Sequence, residues 1–128
     1  MKILMSNSNI YNLMQELQSN FNSSKDFYLP TVINFAIQKN LVALTEVGKI
    51  IESVRNDIGV KYGTYEKDDQ GGHFFIPEEN RSEAEAELKK LMELEQIVEI
   101  RKIHLSDLSN VQLTTQQMQA LLFMIEEE

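Results

Sequence analysis

Few side chains in this 128-residue chain could make or break bonds. Cysteine is absent, so there is no thiolate nucleophile, disulfide framework or cysteine-held metal. The two histidines, His73 and His104, are far apart in the chain, and no HExxH or similar ligand pair occurs. Glu46 and Glu52 are the carboxylates that an acid–base or metal-assisted reaction would recruit. Six residues apart, they do not share one face of a helix well. The acidic run Glu66, Asp68, Asp69 ahead of Gly71 lacks the alternating ligands and closing glutamate of a calcium loop. No phosphate-cradling glycine motif and no nucleophile elbow occurs. These residues predict no catalytic centre, no cofactor and no metal, and therefore a non-enzymatic role.

Binding chemistry is better represented. Lys39, Arg55, Lys61 and Arg101 could contact phosphates, and Tyr65 or Phe74 could stack a base. Gathered around one cavity, they would make a small-molecule binder that sequesters a nucleotide-like signal at a subunit interface. Asn34, Lys39 and Asn40 are polar residues on an otherwise apolar stretch. Two readings stand for them: buried hydrogen bonds to a neighbouring strand, or a binding patch. The net charge of −8 argues against a nucleic-acid surface, which needs clustered Lys and Arg. No apolar run approaches the roughly 20 residues of a membrane span. The start, MKILMSNSN, turns polar too early for a secretory leader.

The element that must position these groups is a long helix over Leu29 to Val60. Pro30 suits a first helical turn, where no amide hydrogen is needed. Ile33, Ile37, Leu44, Val47, Ile51, Val54 and Ile58 recur at steps of three and four, with Asn40 in the one polar seam position. Such a helix is about 45 Å long. Phe35, Ala36, Val42, Ala43 and Ile50 are expected to widen its buried face. The stripe Ile37, Leu44, Val47, Ile51, Val54 reads either as core or as a self-association seam across a two-fold axis, with Asn40 setting register. Gly48 implies a close approach or a bend, and Gly59 and Gly63 are stop signals.

Around this helix the sequence predicts shorter elements. Lys2–Met5 reads as a strand, and a helix follows from the Ser6–Asn9 caps to about Phe21. Asp26–Leu29, before Pro30, is expected to be extended. Tyr62 to Ile76 reads as a β-hairpin turning at Gly71–Gly72. Ser82 with Glu85 looks like a capping box for a helix to Glu95, and Gln96–His104 like a strand. Asp107 is expected to make a local turn bond. Thr114 with Gln117, or Thr115 at the cap itself, opens a last helix carrying Met118, Leu121, Leu122 and Ile125, whose acidic end should fray.

LPTVINFAIQKNLVAL (Leu29 to Leu44) and IHLSDLSNVQLTTQQMQALLFMIEEE (Ile103 to Glu128), with the polar first helix, resemble a family of small proteins encoded by phages and prophages of low-GC bacteria. The matched residues are Leu29, Pro30, Asn34, Ala36, Lys39, Asn40, Leu105, Asp107 and Leu108. The family has no agreed activity, so the resemblance implies a phage context and no chemistry.

The expectation is one α+β domain over residues 1–128. A small antiparallel sheet, formed by the hairpin, the 96–104 strand and the N-terminal strand, packs on the long helix with three shorter helices around it. The expected function is that of a phage-encoded interaction protein that binds a phage or host protein. It would form a homo-oligomer, a dimer first of all, in the host cytoplasm or on the virion. Its candidate contacts are Asn34, Lys39, Asn40, Tyr65, Phe74 and Arg101.

Overall fold

The computed structural model describes residues 1–21, 29–69 and 71–126, and they form an α+β fold around one central helix. Strand β1 (Lys2–Ser6) runs straight into helix α1 (Asn7–Phe21). Ser6 caps that helix, its Oγ accepting from the Asn9 amide at 3.1 Å. The central helix α2 spans Thr31–Tyr62. It starts behind Pro30 and runs through Gly59, so only Gly63 acts as its stop. The hairpin β2 (Thr64–Asp68) and β3 (Gly71–Phe75) follows, turning at Gly71, whose φ of 118° favours glycine. Next come α3 (Glu78–Glu93), β4 (Glu95–Glu99) and β5 (Ile103–His104). After a 3-10 turn over Leu105–Leu108 the chain ends in α4 (Thr115–Leu121), a second 3-10 turn and β6 (Ile125–Glu126). Of the expected extension over 26–29, Leu29 lies ahead of α2, and residues 26–28, like the fraying at 127–128, lie outside the described residues.

Three sequence expectations need correction. The strands do not join one sheet. β1 pairs antiparallel with β4, the hairpin pairs only with itself, and β5 pairs parallel with β6. Helix α3 begins four residues before Ser82, because Pro77 (φ −56°, ψ 148°) already sets the turn into a helix and Glu78 and Glu79 favour its positive end. Ser82 is thus an interior residue and not a cap. Helix α4 stops at Leu121, so Met124 is buried in place of the exposed Leu122. Two other local expectations hold. Thr114 and Gln117 exchange both bonds of a capping box, at 3.1 and 2.9 Å, and Asp107 accepts from the His104 amide at 2.9 Å.

The core is built on one face of α2. Ile33, Ala36, Ile37 and Leu44 pack with Ile10, Leu17 and Phe21 of α1, with Val98 and Ile100, and with Leu121 and Met124. Further along α2, Ile51 and Ile58 pack with Ala84 and Leu91 of α3. Val47 touches both groups. Three residues of the stripe are intrachain core: Ile37, Leu44 and Ile51 are at most 1% exposed and cannot meet a second helix from outside, while Val47 is half-buried and Val54 is exposed. The widening of that face is only partly right, since Ala36 is buried but Phe35, Val42 and Ile50 point outward.

Candidate functional site

The polar candidates on α2 separate by helical angle. Asn40 faces inward and is fully buried, while Asn34 and Lys39 are exposed. Past Glu99 the chain leaves the β1–β4 ladder, and the peptide groups of Arg101 have no strand to pair with. Asn40 takes that place. Its Oδ1 accepts from the Arg101 amide at 2.8 Å and its Nδ2 donates to the Arg101 carbonyl at 3.0 Å. The carboxamide copies a peptide group, which satisfies both of those backbone groups. Asn40 is thus a structural clamp and not a register residue between two copies. Its Nδ2 also lies 3.4 Å from the Met124 sulfur, which ties the C-terminal turn to the same point.

The other face of Arg101 looks outward. Its guanidinium lies 5.0 Å from the centre of the Phe35 ring, a cation–π contact that fixes that ring on the outer side of α2. Tyr65 and Phe74 sit elsewhere, in directly opposed positions of the hairpin. Their rings meet edge to face at 5.3 Å. A Cβ on Gly59 would lie 2.6 Å from the Phe74 ring, so that ring rests on the backbone of α2. Nineteen residues of helix separate Gly59 from Asn40, about 28 Å. The structure therefore divides the six candidate contacts into two groups at opposite ends of α2.

The basic residues do not converge. Arg55 bonds Glu52 at 3.2 Å, Lys61 bonds Glu87 of α3 at 3.0 Å, and Arg101 covers Phe35. Lys39 and Lys61 are about 33 Å apart along the helix. A phosphate cradle built from the four is not present, and this counts against nucleotide sequestration. Glu52 is also engaged by the Tyr11 hydroxyl, which donates to it at 2.8 Å. That bond to Glu52, with partial burial, raises the Tyr11 pKa above the ordinary phenol value. The Glu87 bond raises the Lys61 pKa, and the same bond holds Glu87 below the usual carboxylate range. Among the described residues no group of three or more His, Asp or Glu side chains could hold a metal ion.

The cavities match this picture. A cleft of about 770 Å³ beneath the Leu105–Met118 segment is lined by Leu105, Leu108, Val111, Leu113 and Met118 with two serines, and no titratable side chain enters it. A groove of about 450 Å³ runs between α1 and α2, along Tyr11, Met14, Gly48, Lys49 and Glu52. The cleft offers no convergent polar groups; the groove is also lined by Gln18, Thr45, Ser53 and Asn56, and its one carboxylate, Glu52, is held by Tyr11 and Arg55.

What the sequence did not reveal is the amount of apolar surface left outside the core. On the outer face of the β1–β4 ladder, Leu4 and Ile97 are directly opposed, at 61% and 65% exposure. The inward residues Met5 and Val98 are buried. The strand alternation was legible there; that its outer face is also apolar could have been read from Leu4 and Ile97 themselves. A second exposed row lies along α2. No family model, no curated protein and no solved structure matches this chain. Among the described residues, no helix is long and apolar enough to cross a membrane.

Proposed function

We propose that the chain is a non-enzymatic interaction protein of a phage, binding a protein partner in virion assembly or against a host factor. The observation that carries this reading is the outer face of β1–β4. Two large aliphatic side chains stand opposed there on a two-stranded ladder, and Leu94, just before β4, is exposed as well. Lys2 with Glu99 and Ser6 with Glu95 border the pair above and below. An apolar centre inside a polar rim is the anatomy of a protein interface. The phage setting comes from the resemblance of Leu29–Leu44 and Ile103–Glu128.

The test is affinity capture from infected-cell lysate with the wild-type chain and two variants, Leu4→Lys and Ile97→Lys. Both side chains are outside the core, so circular dichroism and melting should be unchanged. The expected result is that a stoichiometric partner is retained by the wild type and lost by both variants. Retention of the same partner at equal yield by both would overturn the assignment of this face.

A further inference from the structure

The outer face of α2 carries Val32, Phe35, Val42 and Ile50 at 57%, 52%, 61% and 64% exposure. At about 100° per residue these four fall within one sector roughly 80° wide, and Lys39 and Glu46 fall inside the same sector. Lys39 and Glu46 have no ion-pair partner among the described residues. They are about 10 Å apart along the axis, too far to pair with each other. Between Val32 and Ile50 the sector is therefore an apolar row with one cation and one anion, both available; Asp57 lies in the same sector beyond Ile50.

From Phe35 to Ile50 the order of these residues is self-complementary, and Val32 falls opposite Ser53. The midpoint between Lys39 and Glu46 coincides with the midpoint between Phe35 and Ile50, half a residue past Val42. A second identical helix laid antiparallel about that point sets Lys39 against Glu46 twice and Phe35 against Ile50 twice. Val42 of each copy then lies beside the axis. A parallel pairing would oppose Lys39 to Lys39 and Glu46 to Glu46, which is repulsive. An unrelated partner gives no reason for charged and apolar positions to share one midpoint, whereas a two-fold interface requires it. We infer that the outer face of α2 is occupied by a second copy of this chain, antiparallel, with the two-fold axis beside Val42. Arg101 holds the Phe35 ring in place as a pre-set anchor.

This surface is separate from the β1–β4 face, so the inference can fail without affecting partner binding. The experiment is sedimentation velocity of the full chain over a concentration series, with circular dichroism as the fold control. The expected species is a dimer of the 14.8 kDa chain. Val42→Glu, at an exposed site, should give a folded monomer. Lys39→Glu should weaken the dimer about tenfold by setting like charges together twice. The double variant Lys39→Glu with Glu46→Lys should recover it, because opposite charges again face each other. A wild-type monomer at every concentration would overturn the inference. So would a dimer indifferent to Val42→Glu, or a double variant no tighter than Lys39→Glu alone.

Discussion

Replacing Asn40 tests how the C-terminal third of the chain is held on α2. The side chain is fully buried, and both of its polar atoms bond one peptide group, the amide and carbonyl of Arg101. Asn40→Leu keeps the branched shape and the number of heavy atoms, at a larger volume, and removes both bonds. Each orphaned backbone group costs about 1–3 kcal/mol, so the pair could cost about 2–6. Both bonds are only partly buried, and water can reach the freed groups after a small opening. The lower part of that range follows, about 2–3 kcal/mol, against a typical total of about 5–15. Urea unfolding followed by circular dichroism should show the midpoint falling by about 1–2 M at an unchanged slope. A loss under about 0.5 kcal/mol would refute the clamp, because surface substitutions reach that value without any specific cause.

Asn40→Asp separates the donor from the acceptor. An ionised carboxylate still accepts from the Arg101 amide, but it faces the Arg101 carbonyl with no hydrogen to offer. Protonated, it can donate to that carbonyl and restore both bonds. Burial and this bond raise its folded-state pKa above the unfolded value of about 3.9. The folded form then binds more protons, so the stabilising contribution is complete below about pH 4 and is lost as pH rises through the folded pKa. Asn40→Leu has no such group. The gap between the two variants should therefore favour Asn40→Asp at low pH and close or reverse toward neutrality. A gap that does not change with pH would mean that the Arg101 carbonyl does not need the donor.

Two further outcomes follow from particular contacts. Gly48→Ala and Gly59→Ala should differ. A Cβ at Gly48 meets the flexible Met14 thioether at 2.8 Å, so the roughly 1 kcal/mol gain in helix propensity should offset the adjustment. A Cβ at Gly59 meets the Phe74 ring at 2.6 Å, and that ring cannot slide without displacing Tyr65. Hairpin amides should therefore exchange faster by hydrogen exchange in Gly59→Ala and not in Gly48→Ala. For Tyr11, a phenol that donates to Glu52 is stabilised in its neutral form. That contribution is whole below the ordinary phenol pKa and is lost as pH rises through the raised folded value. Glu52→Gln should lower the Tyr11 titration toward the ordinary value by NMR; an unmoved titration would mean that the bond is not the cause.

Local signals were the legible ones, because their physics is local. Ser6, the Thr114–Gln117 box and Pro30 mark helix starts through bonds and dihedrals that involve only a few neighbouring residues. The Ser82–Glu85 pattern shows the limit. The same two residue types can occur inside a helix, and Pro77 decided the start first. Pairing among the strands was not legible, because β1 meets β4 across about ninety residues and nothing in either strand names its partner.

The outer stripe of α2 failed for a different reason. Periodicity reports that a side chain is apolar, and apolar residues on a long helix invite the assumption that they all face one interior. α2 has 32 residues, about 48 Å, and the rest of a 128-residue chain cannot surround it. The face with the stronger repeat, Ile33 to Ile58, took the core. Its polar residue, Asn40, was used up by a backbone that had left its ladder. What remained was Val32, Phe35, Val42 and Ile50 with a single lysine and a single glutamate among them. Association carried by the inner stripe would require the core to open. On the outer stripe, Phe35, Lys39, Glu46 and Ile50 match their own reverse, and that choice of face is what Val42→Glu decides.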